Sequence, residues 1–224
     1  MRAPYPWFGG KRLAVSDVWQ RFGAVQQYSE PFLGSAIMAL ERPDSVGQMT
    51  IGDINRYVVN FWRATTAQPY QVAHWADYPV SHLDMHARHL WLTEPDRVVE
   101  LERKLLDPEW PGDAQIAGWW VWGMSIWIGR GWCAEGKGWL QVPDVSAKHV
   151  PFSGHAGKGV QSKQIPHSGH WQGVARGRLV PWMTALAERL RAAVLIHGDW
   201  TRCLNTYYGR GSGGMSAIFF DPVS

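Results

Sequence analysis

Three short apolar runs in this chain each end on an aspartate, and that repetition restricts its fold more than any other feature. They are residues 48–53 (QMTIGD), 194–199 (VLIHGD) and 217–221 (AIFFD). Runs of this length are too short for ordinary helices and suit buried strands. Before the first of them, QQYSEPFLGSA reads as a strand that ends in a glycine-containing turn. The short helix AIMALER follows from Ala36 and is stopped by Pro43. After Asp53, NRYVVNFWRAT reads as a helix that buries Tyr57, Val58, Phe61 and Trp62. Strand, glycine turn, helix, strand, acid is the rhythm of a doubly wound α/β sheet. Such sheets bind ligands beyond the carboxyl ends of their strands. One acid there would be no more than a helix cap; Asp53, Asp199 and Asp221 together with the turn predict a ligand crevice.

The rhythm breaks in the middle of the chain. Residues 65–180 read as helices, with MHARHLWLTEPDRVVELERKLL the clearest. GWWVWGMSIWIGRGWC reads as a core helix burying Trp119, Trp122 and Ile126, then a loop with Arg130 and Trp132. A long stretch rich in Gly, Ser, Pro and His comes next, and a loop of that length inside a domain has a functional role or no fixed structure. The rhythm returns with a helix over 180–193, strand 194–199, a short helix and strand 217–221. The expected organisation is therefore a sheet domain in two parts, 1–64 and 181–224, around a mostly helical insertion at 65–180.

Charge and composition narrow the partners. The net charge is only +3, but residues 145–191 hold seven Lys and Arg against Glu188 alone. Such a stretch suits a phosphate backbone or forms a solvated face or loop; Lys158, Lys163, Arg176 and Arg178 within it, and Arg130 before it, are the candidates for contact with a nucleic-acid backbone. Cys133 and Cys203 are far apart in sequence, which argues against a disulfide scaffold or zinc ribbon and fits a reducing cytoplasm. His149, His155, His167 and His170 have no acid or cysteine nearby, so no metal site is expected. The longest apolar run, residues 117–129, is too short to span a bilayer, so no membrane partner is expected.

Gly34 lets backbone approach a ligand closely, yet no P-loop or GxGxxG fingerprint surrounds it. Asp53 follows 19 residues later, at the place where an acid accepts ribose hydroxyls. The pair points to an adenosine-bearing cofactor. A nicotinamide dinucleotide fits poorly with a single glycine, so S-adenosylmethionine leads.

The motifs PYPWFGGKR, EPFLGSA, IGDIN, HGDW and FFDP stand in the order and approximate spacing of DNA adenine-N6 methyltransferases of the Dam type, which the chain resembles from end to end. The resemblance implies a Rossmann-like, S-adenosylmethionine-dependent α/β fold with strand order 3-2-1-4, a DNA substrate and a target-recognition segment at about 65–190. It implies that Trp7 and Lys11 help hold the cofactor, with Lys11 near its carboxylate or the catalytic pocket. Glu30, Phe32, Gly34 and Ser35 match the loop on the methionine and ribose side. Asp53 matches the ribose acid, Ile54 would pack on the adenine, and Asp199 and Trp200 match the acid and aromatic near that ring. Asp221 and Pro222 match the first half of the catalytic acid-proline-proline-aromatic motif.

Val223 and Ser224 depart from that motif. Loss of the stacking aromatic should weaken the hold on a flipped base by about 1–3 kcal/mol. The family pattern also has further strands beyond this point, so the expectation is a truncated relative. A non-catalytic DNA- or cofactor-binding remnant is the alternative. Ala36 stands where the family usually has glycine.

Overall fold

The computed structural model describes residues 1–7, 11–127, 132–133, 176–205 and 214–221. Its centre is a four-stranded parallel sheet of β1 (Gln27–Glu30), β2 (Gln48–Asp53), β3 (Ala193–His197) and β4 (Ser216–Ile218). The spatial order is β3-β2-β1-β4, the 3-2-1-4 order expected. Parallel neighbours require crossovers. α2 (Ile37–Leu40) lies in the β1–β2 connection, and α3 (Arg56–Ala67) opens the long one between β2 and β3. β1 is buried at all four residues, as befits a strand with neighbours on both sides. α1 (Val15–Phe22) precedes the sheet and inserts Val15 and Trp19 into the core.

Between α3 and β3 run α4 (Pro69–Ala76), α5 (His82–Leu92), α6 (Pro95–Leu105), α7 (Ala114–Ile126) and α8 (Arg176–Leu190). The segment expected to be the clearest helix is two. Glu94 leaves the helical path and its carboxylate accepts from the N–H groups of Asp96 and Arg97, so a fresh helix starts at Pro95. Proline suits that first position because it has no N–H to leave unpaired. α8 starts at residue 176, four residues before the expected 180.

α7 packs against α3 and α4, and α8 against the same two helices, so their side chains continue the core of the sheet. Within α7, Trp120, Trp122 and Ile126 are the deeply buried residues, whereas Trp119 is half-buried, a correction by one position for the first tryptophan. Trp132 is buried too and its indole donates to the Trp120 carbonyl at 3.0 Å. Buried Asn60 on α3 donates to the Asp113 carbonyl (3.0 Å) and accepts from its N–H (2.8 Å). Asp113 then caps α7 through Ile116. Arg189, counted among the basic stretch, bonds to the Leu40 and Arg42 carbonyls and to Asp44. It closes the end of α2, a structural task.

No described helix is long and apolar enough to cross a membrane. Among the described residues no cluster of His, Cys, Asp and Glu could hold a metal ion. The four histidines weighed above lie outside the described residues, as do Arg130, Lys158, Lys163 and Pro222.

Candidate active site at the carboxyl edge of the sheet

β1 and β2 end on Glu30 and Asp53, and Asp199 and Asp221 follow β3 and β4 within three residues. Because all four strands are parallel, these four acids belong to one edge of the sheet.

The β1–α2 turn is tied to the end of β2. Gly34 N–H donates to Asp53 Oδ2 at 2.8 Å, and Asn55 N–H donates to Oδ1 at 2.8 Å. Asn55 in turn caps α3 through Tyr57 and Val58, so the IGDIN motif is a strand end, a clamp and a helix cap in succession. The Gly34 carbonyl accepts from the Tyr5 hydroxyl (2.6 Å) and the Trp62 indole (3.2 Å). Gly34 has φ of 45°, and a Cβ there would collide with the Trp7 indole. Its polar groups are thus turned to the protein, and its missing side chain makes room for Trp7. Gly52 serves similarly: a Cβ would meet the Cys203 sulfur of α9 (Thr201–Asn205).

Burial raises the Asp53 carboxyl above its usual range, against the pull of the Asn55 and Gly34 N–H groups. Glu30 is more extreme. Burial pushes it up to about 8, although the Tyr28 hydroxyl and the Ala39 N–H, each 3.1 Å from Oε2, favour its ionised form. The negative charges of Asp53 and Asp221 act in the same upward direction as burial.

The far side of the edge is aromatic and ionic. Lys11 Nζ lies 2.9 Å from Asp221 Oδ2, both side chains about one-third exposed. Phe220, next to Asp221, meets Phe32 edge-on at 5.1 Å between ring centres and Trp200 at 4.9 Å. Ile54 is 72% exposed and Phe220 47%, so apolar surface faces solvent here. Ser35 is buried in the turn.

These contacts join Trp7, Gly34 and Asp53 in one set, Lys11 and Asp221 in a second, and Phe32, Trp200 and Phe220 in a third. The sets are linked through neighbouring chain positions. Asp199 is the exception. Its exposed carboxylate accepts from the Thr201 N–H (2.9 Å) and hydroxyl (2.5 Å), which lowers its pKa and makes it the cap of α9. Arg176 and Arg178 lie at the start of α8, which packs on α2, α3 and α4.

Sequence reasoning missed three residues. Phe220 was read as part of a buried strand, but the ladder ends at Ile218, its last bond running from Phe219 N–H to the Ser29 carbonyl (2.8 Å), and Phe220 beyond it is half-exposed. Tyr5 holds the Gly34 carbonyl; its place two residues before Trp7 in an aromatic cluster was the available signal. His197 is the register partner of Asp53, with Nε2 3.3 Å from the Ile54 carbonyl. Burial lowers its pKa.

A family model for D12 class N6 adenine-specific DNA methyltransferases matches residues 7–88. The matched segment holds Trp7, Lys11, the β1–α2 turn, Asp53 and Ile54, and stops short of Asp199 and Asp221. No curated protein matches the chain.

Proposed function

We propose that this chain, similar over residues 7–88 to N6 adenine-specific DNA methyltransferases, transfers a methyl group from S-adenosylmethionine to the N6 amine of adenine in DNA. One observation carries this reading: Lys11, inside the matched segment, is ion-paired to Asp221, which lies beyond it and is the family's catalytic acid by resemblance.

The residues present fit S-adenosylmethionine. The donor carries a sulfonium, an ammonium, a ribose diol and a flat base. The edge offers the carboxyl group of Asp53, the ammonium of Lys11 for a carboxylate, a carboxyl group at Glu30 that is mostly protonated at neutral pH, and apolar surface at Trp7, Phe32, Ile54 and Trp200. Asp53 has accepted two backbone N–H groups, and a carboxylate has lone pairs left for a ribose hydroxyl. When bound, the cofactor supplies an electrophilic methyl group, and the reaction needs no metal.

The protein must then hold the amine. An exocyclic adenine nitrogen is a weak nucleophile because its lone pair is delocalised into the ring. Asp221 accepts one of its N–H bonds through the oxygen that Lys11 leaves open, which helps turn the lone pair toward the methyl group. Lys11 fixes the carboxylate so that attack is in line, where orientation lowers the barrier. The amine is out of reach inside a duplex, so the base must be extruded. Phe220 and Trp200 supply aromatic surface beside Asp221, in compensation for the aromatic that Ser224 replaces. The helices after α3 and the basic residues Arg130, Lys158, Lys163, Arg176 and Arg178 would contact the DNA.

Incubation with tritiated S-adenosylmethionine and unmethylated DNA tests the proposal. Label should appear in N6-methyladenine, and Asp221→Ala should reduce it at least about 100-fold while calorimetry shows cofactor binding largely intact. Transfer unchanged in Asp221→Ala removes that residue from the mechanism. Absence of transfer by the wild type, with DNA binding retained, would favour a non-catalytic DNA-binding protein.

A further inference from the structure

We propose that Leu13 is an apolar wedge that enters the base stack when the target adenine is turned out, a role that rests on the reading above and extends it. Residues 11–14 form a tight turn closed by the Ala14 N–H and the Lys11 carbonyl at 2.8 Å. Arg12 and Leu13 are its two central residues, and both are exposed. Leu13 is 99% exposed, the most exposed large apolar side chain among the described residues.

Isolated surface leucines are ordinary; the anchoring of this one is not. On one side of the turn, Lys11 is ion-paired to Asp221 at 2.9 Å. On the other, α1 begins at Val15 and buries Val15 and Trp19 in the core. The turn is therefore pinned at both ends, and its apolar tip stands two residues from the group that holds the reacting carboxylate. Extruding a base leaves a gap in the stack, and proteins fill such gaps with leucine, isoleucine, methionine or phenylalanine. A leucine exposed to this extent among the described residues is available for that gap. Exposed Arg12 beside it suits a flanking phosphate.

The test uses a duplex with 2-aminopurine at the adenine that the wild type labels. Extrusion unstacks the probe and raises its fluorescence. Wild type should give the rise, and Leu13→Ala should give a several-fold smaller one, with the same thermal midpoint because a side chain this exposed has little packing to lose. Turnover of Leu13→Ala should fall on the order of tenfold on the matched duplex and recover when the target adenine faces an abasic site, where extrusion costs less. Leu13→Met should stay near wild type. Full fluorescence and matched-duplex turnover in Leu13→Ala would overturn the wedge and leave the methyltransferase reading standing. An equal loss on both duplexes would also overturn it, since the defect would lie outside extrusion. If the wild type labels no DNA, the reading and the wedge fall together.

Discussion

The carboxyl edge of the sheet and the Arg88–His89 cluster of the helical layer treat buried polar groups in opposite ways; elsewhere in that layer Asn60 and Asp113 are paired as directionally as the edge. At the edge, partners are directional. Asp53 accepts two backbone N–H groups, Gly34 uses both its N–H and its carbonyl, and Glu30 is held by Tyr28 and Ala39. In the helical layer, Arg88 is 94% buried, and its Nη1 has no hydrogen-bond partner among the described residues. Its guanidinium instead lies 4.2 Å from the ring centres of Tyr78 and Trp122 and 5.1 Å from that of Trp119. His89 next to it stacks on Trp127 at 5.4 Å, and burial lowers its pKa to about 4. Hydrogen bonds fix positions to a fraction of an ångström, whereas ring faces accept a cation over a broad area. The edge is thus built for placement and the Arg88–His89 cluster for bulk.

The strongest check of that contrast is pH. Glu30 has a folded pKa raised by burial from 4.5 to about 8. Its neutral form is the one the fold favours, so its contribution is fully present below about pH 4.5 and is lost as pH rises through about 8. Denaturation midpoints should fall across that window in the wild type and stay flatter in Glu30→Gln; parallel curves would remove Glu30 from the account. Next in size, Asp53→Ala leaves the buried Gly34 and Asn55 N–H groups without an acceptor and should cost about 3 kcal/mol in urea unfolding. A cost near zero would mean that the turn holds its shape without the clamp.

The Arg88–His89 cluster should respond less. Arg88→Met exchanges a buried cation whose Nη1 lacks a hydrogen-bond partner among the described residues for an apolar side chain of similar length, and stability should stay within about 1 kcal/mol of wild type. A loss of several kcal/mol would show that the aromatic cage is as directional as the sheet edge. The smallest expected effect returns to the edge. Ala36 sits at φ of 58°, a left-handed conformation, and is fully buried. Ala36→Gly relieves a strain of about 1–2 kcal/mol and adds about 0.5–1 kcal/mol of chain entropy to the unfolded state. The net gain should be about 0.5–1 kcal/mol, and a loss would mean that the alanine methyl packs usefully.

The same contrast explains what could be read from the sequence. Three of the four strands were legible as short apolar runs that end on an acid, and β1 (QYSE) by the glycine turn after it; their order was legible only through the family resemblance, since no local pattern encodes it. The pairing of Lys11 with Asp221 was likewise legible only through the resemblance, which set Lys11 near the cofactor carboxylate or the catalytic pocket; local spacing says nothing of a contact between residues so remote in the chain. Asp199 shows another limit. Its position after a strand resembles that of Asp53, and like Asp53 it accepts two hydrogen bonds, but both come from Thr201 two residues on, whereas one of those to Asp53 comes from Gly34 in a second loop. Strand-end acids look alike in sequence; which groups hold them depends on residues the strand pattern does not specify. The proline that divides α5 from α6 was a visible signal that apolar periodicity overrode.

The position of β4 bears on how the chain is made. Ser216 Oγ lies 3.3 Å from Gln27 Oε1, 189 positions away, and β4 enters the sheet beside the first strand synthesised. Closure of that pair carries a high contact order, so it should be a slow step. A nascent chain can assemble β1, β2 and much of the helical layer on the ribosome, yet Lys11 meets Asp221 only after β4 has left the exit tunnel. Competence would therefore arrive in a single late event.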